Sequence, residues 1–225
     1  MGGMRAIMLG VWGCLLAGTA AAQGCGPAIA AAERARATAP GLLAAIGVVE
    51  SGRMDARTGT RLPWPWTVTA EGVGTFYADK PTAIRAVEAL RARGVTSIDV
   101  GCMQVNLQYH PAAFPTLDQA FDPMANAAYA ARFLSSLFAR QGGWAAAAAA
   151  YHSLIPERGA QYGRLVAAVW GGAPLPVVAR ADGLQVVNFP GGGEMRILRD
   201  ATGLSPGSLG GGGTPGRVLG YLSGP

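Results

Sequence analysis

Glu50 ends an uninterrupted apolar run, "LLAAIGVV", and is followed at once by Ser51. A carboxyl group half-buried at the end of such a helix has its charged form disfavoured. Its pKa should rise, and it can then hold a proton near neutral pH, as a general acid must. The plainer alternative leaves Glu50 pointing into water, although a glutamate at a helix C-terminus opposes the dipole. The remaining carboxylates offer less: Glu33 and Glu88 neighbour arginines on amphipathic stretches, and Asp79, Asp118 and Asp122 are placed like helix caps. A second chemistry-bearing residue is Cys102, in the nearly uncharged run "IDVGCMQVN". With His110 or His152 as base it can be read as a thiolate nucleophile, and with Cys25 as half of a disulfide. Two cysteines and two histidines in the mature chain show no pairing at metal-ligand spacing, so no metal site is expected.

The N-terminus bears on that choice. Arg5 precedes an apolar run from Ala6 to Ala17 and small residues ending Ala20-Ala21-Ala22, the pattern of a secretory signal cleaved after Ala22. An uncleaved anchor is the rival reading, but no basic stop-transfer cluster follows and the run is short for a span. Export implies a periplasmic location and oxidised thiols. A Cys25–Cys102 disulfide is then expected, closing a loop whose entropy contributes about 4 kcal/mol. Without Arg5 the chain keeps 16 arginines and Lys80 against 13 carboxylates, a net charge of +4. That balance suits a polyanionic surface such as a cell wall or lipid headgroups. The arginines are scattered, with no basic stripe or aromatic-basic motif, so nucleic acid is not an expected partner.

The positioning elements read mainly as helices, with one ordinary core in a chain of 225 residues. "AIAAAERARA" (28–37) forms one helix, broken at Pro40-Gly41. "LLAAIGVVES" forms the next and buries Leu42, Leu43, Ile46 and Val49 on one face. "RLPWPWTVTAEGVGTFYADK" (61–80) suggests an irregular loop or small hairpin. Asp79-Lys80-Pro81 opens an amphipathic helix ending at Gly94, and Asp122-Pro123 opens another that stops at Gly142-Gly143. The poly-alanine run "WAAAAAAYHS" and a segment at 160–170 complete the set. Past Gly171 the chain turns Gly/Pro-rich, with "LQVVNF" and "MRILR" as candidate strands of a short hairpin. The expected organisation is a signal peptide at 1–22, a helical domain at 23–171 and a tail at 172–225.

Three short signatures occur in order: Glu50-Ser51; Gly101-Cys102-Met103-Gln104 with Asn106; and Ala150-Tyr151. Together they resemble the Glu-Ser, Gly-x-Met-Gln and Ala-Tyr-Asn motifs of the lysozyme-like lytic transglycosylases, over about residues 25–171. The small proteobacterial members, including those that accompany secretion and conjugation machines, are the most similar. The resemblance implies a mainly α, lysozyme-like (SLT-type) domain with a small irregular or β insertion, acting on peptidoglycan glycan strands as a monomer without a cofactor. It implies cleavage of the bond between N-acetylmuramic acid and N-acetylglucosamine without water. Glu50 would protonate the leaving oxygen and then deprotonate the muramoyl C6 hydroxyl, leaving a 1,6-anhydro end. One carboxylate serves both steps, in keeping with the lack of an obvious second acid. The implied substrate-binding set is Ser51, Met103, Gln104, Asn106, Tyr151 and His152. Tyr151 matches the tyrosine whose hydroxyl approaches the glutamate, and Gln104 can hydrogen-bond an acetamido group. Cys102, at the x position, would brace the site through Cys25.

Two departures stand out. His152 replaces the usual asparagine, and 53 residues separate Glu50 from Gln104, more than is typical. Ser97 is the nearest match to a family serine before Gly-x-Met-Gln. In the added length, Trp64 and Trp66 either stack on sugar faces or pack against the extra helix, with packing favoured. A hydrolytic muramidase of the same fold, a non-catalytic wall-binding or secretion-assembly protein, and a thiol hydrolase remain as alternatives.

Overall fold

The computed structural model describes residues 24–172 and three further strands, Val177–Ala179, Gln185–Phe189 and Gly193–Asp200. The leader expected at 1–22, and most of the tail expected at 172–225, lie outside the described residues. The architecture is mainly helical, as expected. Helix α1 (Cys25–Arg36) ends where Ala37 takes the left-handed conformation, and α2 (Leu42–Ser51) follows after Pro40-Gly41. Gly41 has no side chain with which to cap α2, and Glu33 of α1 does so instead, its Oε1 accepting from Leu43 N at 2.8 Å and Ala44 N at 3.3 Å. The apolar face read from the sequence is fully used, with Leu42, Leu43, Ile46 and Val49 all buried.

The segment between Glu50 and the Gly-x-Met-Gln run folds as two hairpins and a helix. Strands β1 (Gly52–Met54) and β2 (Arg61–Pro63) pair antiparallel, as do β3 (Thr67–Ala70) and β4 (Val73–Phe76) across a two-residue Glu71-Gly72 turn. Both turn residues have positive φ, which matches the twist of a tight hairpin. Helix α3 (Lys80–Ala92) starts at Asp79, whose carboxylate accepts from Thr82 N, as the sequence predicts. Val68, Ala70, Ala83, Val87, Ile98, Val100 and Phe121 bury one another, so the insertion has an apolar core of its own.

Strands β5 (Ile98–Val100) and β6 (Val105–Asn106) continue the sheet in the order β6-β5-β3-β4, and β9 (Gly193–Asp200) lies parallel to β4. Strands β8 (Gln185–Phe189) and β7 (Val177–Ala179) extend it antiparallel. The short α4 (Leu117–Ala120), α5 (Pro123–Gln141), α6 (Trp144–His152) and α7 (Pro156–Trp170) enclose the main core around α2. Helix α7 begins four residues before the expected 160, because Pro156 supplies a preset first turn and Glu157 suits the positive helix end. Among the described residues no helix is long and apolar enough to cross a membrane.

Candidate active site

The site lies where the C-terminus of α2 meets the β5–β6 turn and the facing ends of α6 and α7. Its floor is the Gly101–Gln104 segment, which is held from several directions. Ser51 Oγ donates to Cys102 O at 2.6 Å, and Tyr151 Oη donates to Met103 O at 2.9 Å. Asn126 of α5 accepts from Met103 N at 2.8 Å and donates to Val100 O and Ala120 O, each at 3.0 Å. Cys102 is bonded to Cys25 at 2.08 Å, so the disulfide expected from the cysteine count forms and Cys102 is not left as a thiolate for nucleophilic attack. Gly101 has φ of +81°, and a Cβ there would stand 2.5 Å from Asn126 Nδ2. Only glycine suits both the turn and the asparagine beside it.

The sequence-predicted residues divide between floor and wall. Met103 is fully buried. Gln104 is buried with its amide engaged: Nε2 donates to Gly101 O at 2.9 Å and Thr67 O at 3.2 Å, while Oε1 accepts from Thr69 Oγ1 at 2.6 Å. Asn106 donates to Ser97 Oγ and Asp99 Oδ1, each at 3.0 Å, and accepts from Gln108 N and Tyr109 N. These side chains, with Ser51, shape the site from below. Tyr151 and His152 instead line a cavity of about 240 Å³ with Tyr109, His110, Phe133 and Leu154. Its walls are mainly aromatic and apolar, as sugar faces favour, and Glu50 is not among the residues that line it.

Glu50 is half-buried at the end of α2, and its carboxyl is pushed up to about 8. Burial is the main cause, offset in part by the hydrogen bond from Tyr162 and reinforced by the nearby charge of Asp99. The environment inferred from the apolar run is therefore the one observed. A tyrosine that the sequence reading did not name joins it. The hydroxyl that hydrogen-bonds Glu50 is that of Tyr162, which donates to Oε1 at 2.6 Å, while Tyr151 bears on Glu50 through its charge and donates its hydroxyl to Met103 O. The reason is helix placement: α7 packs along α2, while Tyr151 points from α6 toward the β5–β6 turn.

Asp99 is a carboxyl that the sequence reading passed over. No second carboxylate was evident in the sequence, yet Asp99 lies buried on β5 and bears on Glu50. Burial lifts it to about 7, against the hydrogen bond from Asn106. Its local signal was an acid between Ile98 and Val100 on a strand buried at every position.

The tryptophans pack rather than line the cavity just described. Their rings meet edge to face at 5.3 Å, Trp64 Nε1 donates to Tyr77 O at 2.7 Å, and the Arg53 guanidinium lies 4.4 Å over Trp64. Comparison with protein families matches residues 27–157, more than half of the chain, to the Transglycosylase SLT domain. Comparisons with curated proteins and with solved structures found no match.

Proposed function

Since the chain belongs to the SLT family of lysozyme-like lytic transglycosylases, which act on peptidoglycan, we propose that it cleaves the bond between N-acetylmuramic acid and N-acetylglucosamine with Glu50 as its acid and base. The observation that carries this reading is the carboxyl of Glu50, half-buried at the end of α2, where burial pushes its pKa up, and held at Oε1 by the Tyr162 hydroxyl. In this reading Oε2, the oxygen that Tyr162 does not bond, is the one that meets the scissile bond. It donates its proton to the glycosidic oxygen as the C1–O bond breaks, and the leaving N-acetylglucosamine departs as an alcohol. The carboxylate so formed takes the proton of the muramoyl C6 hydroxyl, whose oxygen closes on C1. Atoms balance without water, and Glu50 ends protonated for the next cycle.

In this reading Ser51, Met103, Gln104 and Asn106 shape the floor, Tyr151 and His152 line the wall against the sugars, and the Cys25–Cys102 bond braces the floor. The chain would act in the periplasm after removal of residues 1–22, with the catalytic domain at 23–171 and the tail at 172–225. The resemblance to small secretion- and conjugation-associated members suggests opening of the wall for such a machine by a monomeric enzyme.

Asp99 favours a second reading, hydrolysis by the same fold. A second buried carboxyl whose charge bears on Glu50 could help to stabilise a cationic intermediate until water arrives. The product separates the two readings. We expect purified sacculi incubated with the mature protein to release anhydro-ended muropeptides, detected by mass spectrometry, and Glu50→Gln to release none. Reducing ends would establish the hydrolase instead. No release by either protein would leave a wall-binding role.

A further inference from the structure

His152 stands at the last position of α6, and its ring lies almost parallel to that of Tyr162, with centroids 4.8 Å apart and planes 11° from coplanar. Tyr162 is the residue that hydrogen-bonds Glu50. The two helices are pressed together where this stack forms. A Cβ at Gly159 would stand 2.7 Å from Ser153 O, and one at Gly163 would stand 3.2 Å from Ala149 Cβ. The approach of α7 to α6 thus depends on glycines flanking Tyr162. One face of the phenol is then covered by the imidazole, and the ring cannot swing toward His152 without lifting the helices apart.

We propose that His152 is a positioning residue: by covering one face of Tyr162 it holds the phenol hydroxyl on Glu50 Oε1. The inference rests on the assignment of Glu50 as acid and base, and it gives His152 a task other than contact with substrate. Burial, and after it the charge of Arg158, pull the imidazole down to about 4, so the ring stays neutral across the neutral range. A neutral ring stacks on the phenol without placing a charge beside a carboxyl that must gain and lose a proton. The stack itself asks only for a flat ring over the phenol.

The test separates ring from nitrogen and does not depend on catalysis. His152→Phe keeps a flat ring, whereas His152→Asn keeps a polar group of a different shape. The titration of Glu50 is followed by carbon NMR of its side-chain carboxyl, with Tyr162→Phe as the reference for a lost hydrogen bond. The other groups bearing on Glu50 are Asp99 on β5 and Tyr151 on α6, and Arg158 on α7 bears on His152. All are unchanged in these variants. The Tyr162 bond favours the ionised form of Glu50, so its loss moves the titration to higher pH.

We expect His152→Asn to move it upward as Tyr162→Phe does, and His152→Phe to leave it in place. On sacculi, His152→Asn should lower kcat about tenfold, more than it raises KM, whereas a ring that only faced the sugars would raise KM and leave kcat in place. The proposal is overturned if His152→Phe shifts the titration as far as His152→Asn, or if His152→Asn leaves it unmoved. Should neither wild type nor variant act on the wall, the assignment of Glu50 fails, and the carboxyl titration still decides the stacking.

Discussion

Two carboxyl groups buried in one site oppose the fold once they must ionise. Glu50 is raised from 4.5 to about 8 and Asp99 from 3.8 to about 7. Below the unfolded values both states carry the protons, and nothing is lost. As pH climbs from about 4 to about 8 the unfolded chain releases them first, so stability declines through that window. We expect Glu50→Gln, which can still accept from Tyr162, to melt higher than wild type at pH 8 by about 2–4 °C, or about 1 kcal/mol, and to melt alike at pH 4. Equal melting at pH 8 would mean that Glu50 is solvated. The environment of Glu50 was legible because it is local: the apolar run and the acid adjoin in the chain. Tyr162 was not, since it lies 112 residues away on a helix with no motif of its own. Asp99 resembled any polar residue near a turn until β3 and β6 closed on either side of its strand.

At the scale of elements, the helices were legible because their stops and starts are written in single residues. Asp79 and Asp122 cap as expected, and Gly142 ends α5 in the left-handed conformation. The floor of the site was less so, because its order is imposed from outside. Asn126 looks like one more polar residue on an amphipathic helix, yet it is fully buried and engages three main-chain groups. Asn126→Ala leaves Met103 N, Val100 O and Ala120 O without it, and we expect a loss of about 2–4 kcal/mol in urea unfolding. Gly101→Ala meets the same asparagine from the other side and should cost a similar amount. A loss below about 0.5 kcal/mol in either variant would show that the turn can relax away from α5.

Across the whole molecule, the two apolar clusters are joined by the Gly101–Gln104 segment, and the disulfide fixes that junction to the first turn of α1. The cysteines are 77 residues apart, and closing a loop of that length restricts the unfolded chain by about 4 kcal/mol. We expect the double variant Cys25→Ala, Cys102→Ala to unfold at correspondingly lower urea concentration, with an unchanged product end if it is assayed well below its midpoint. A loss under about 1 kcal/mol would mean that α1 and the floor are held by packing alone. The segment draws its ties from residues 25, 51, 126 and 151, which lie far apart in sequence. Contacts of that span form late, after the loops between them have closed. The candidate site should then be among the last parts of the chain to take shape during folding, and a partly folded molecule should lack it.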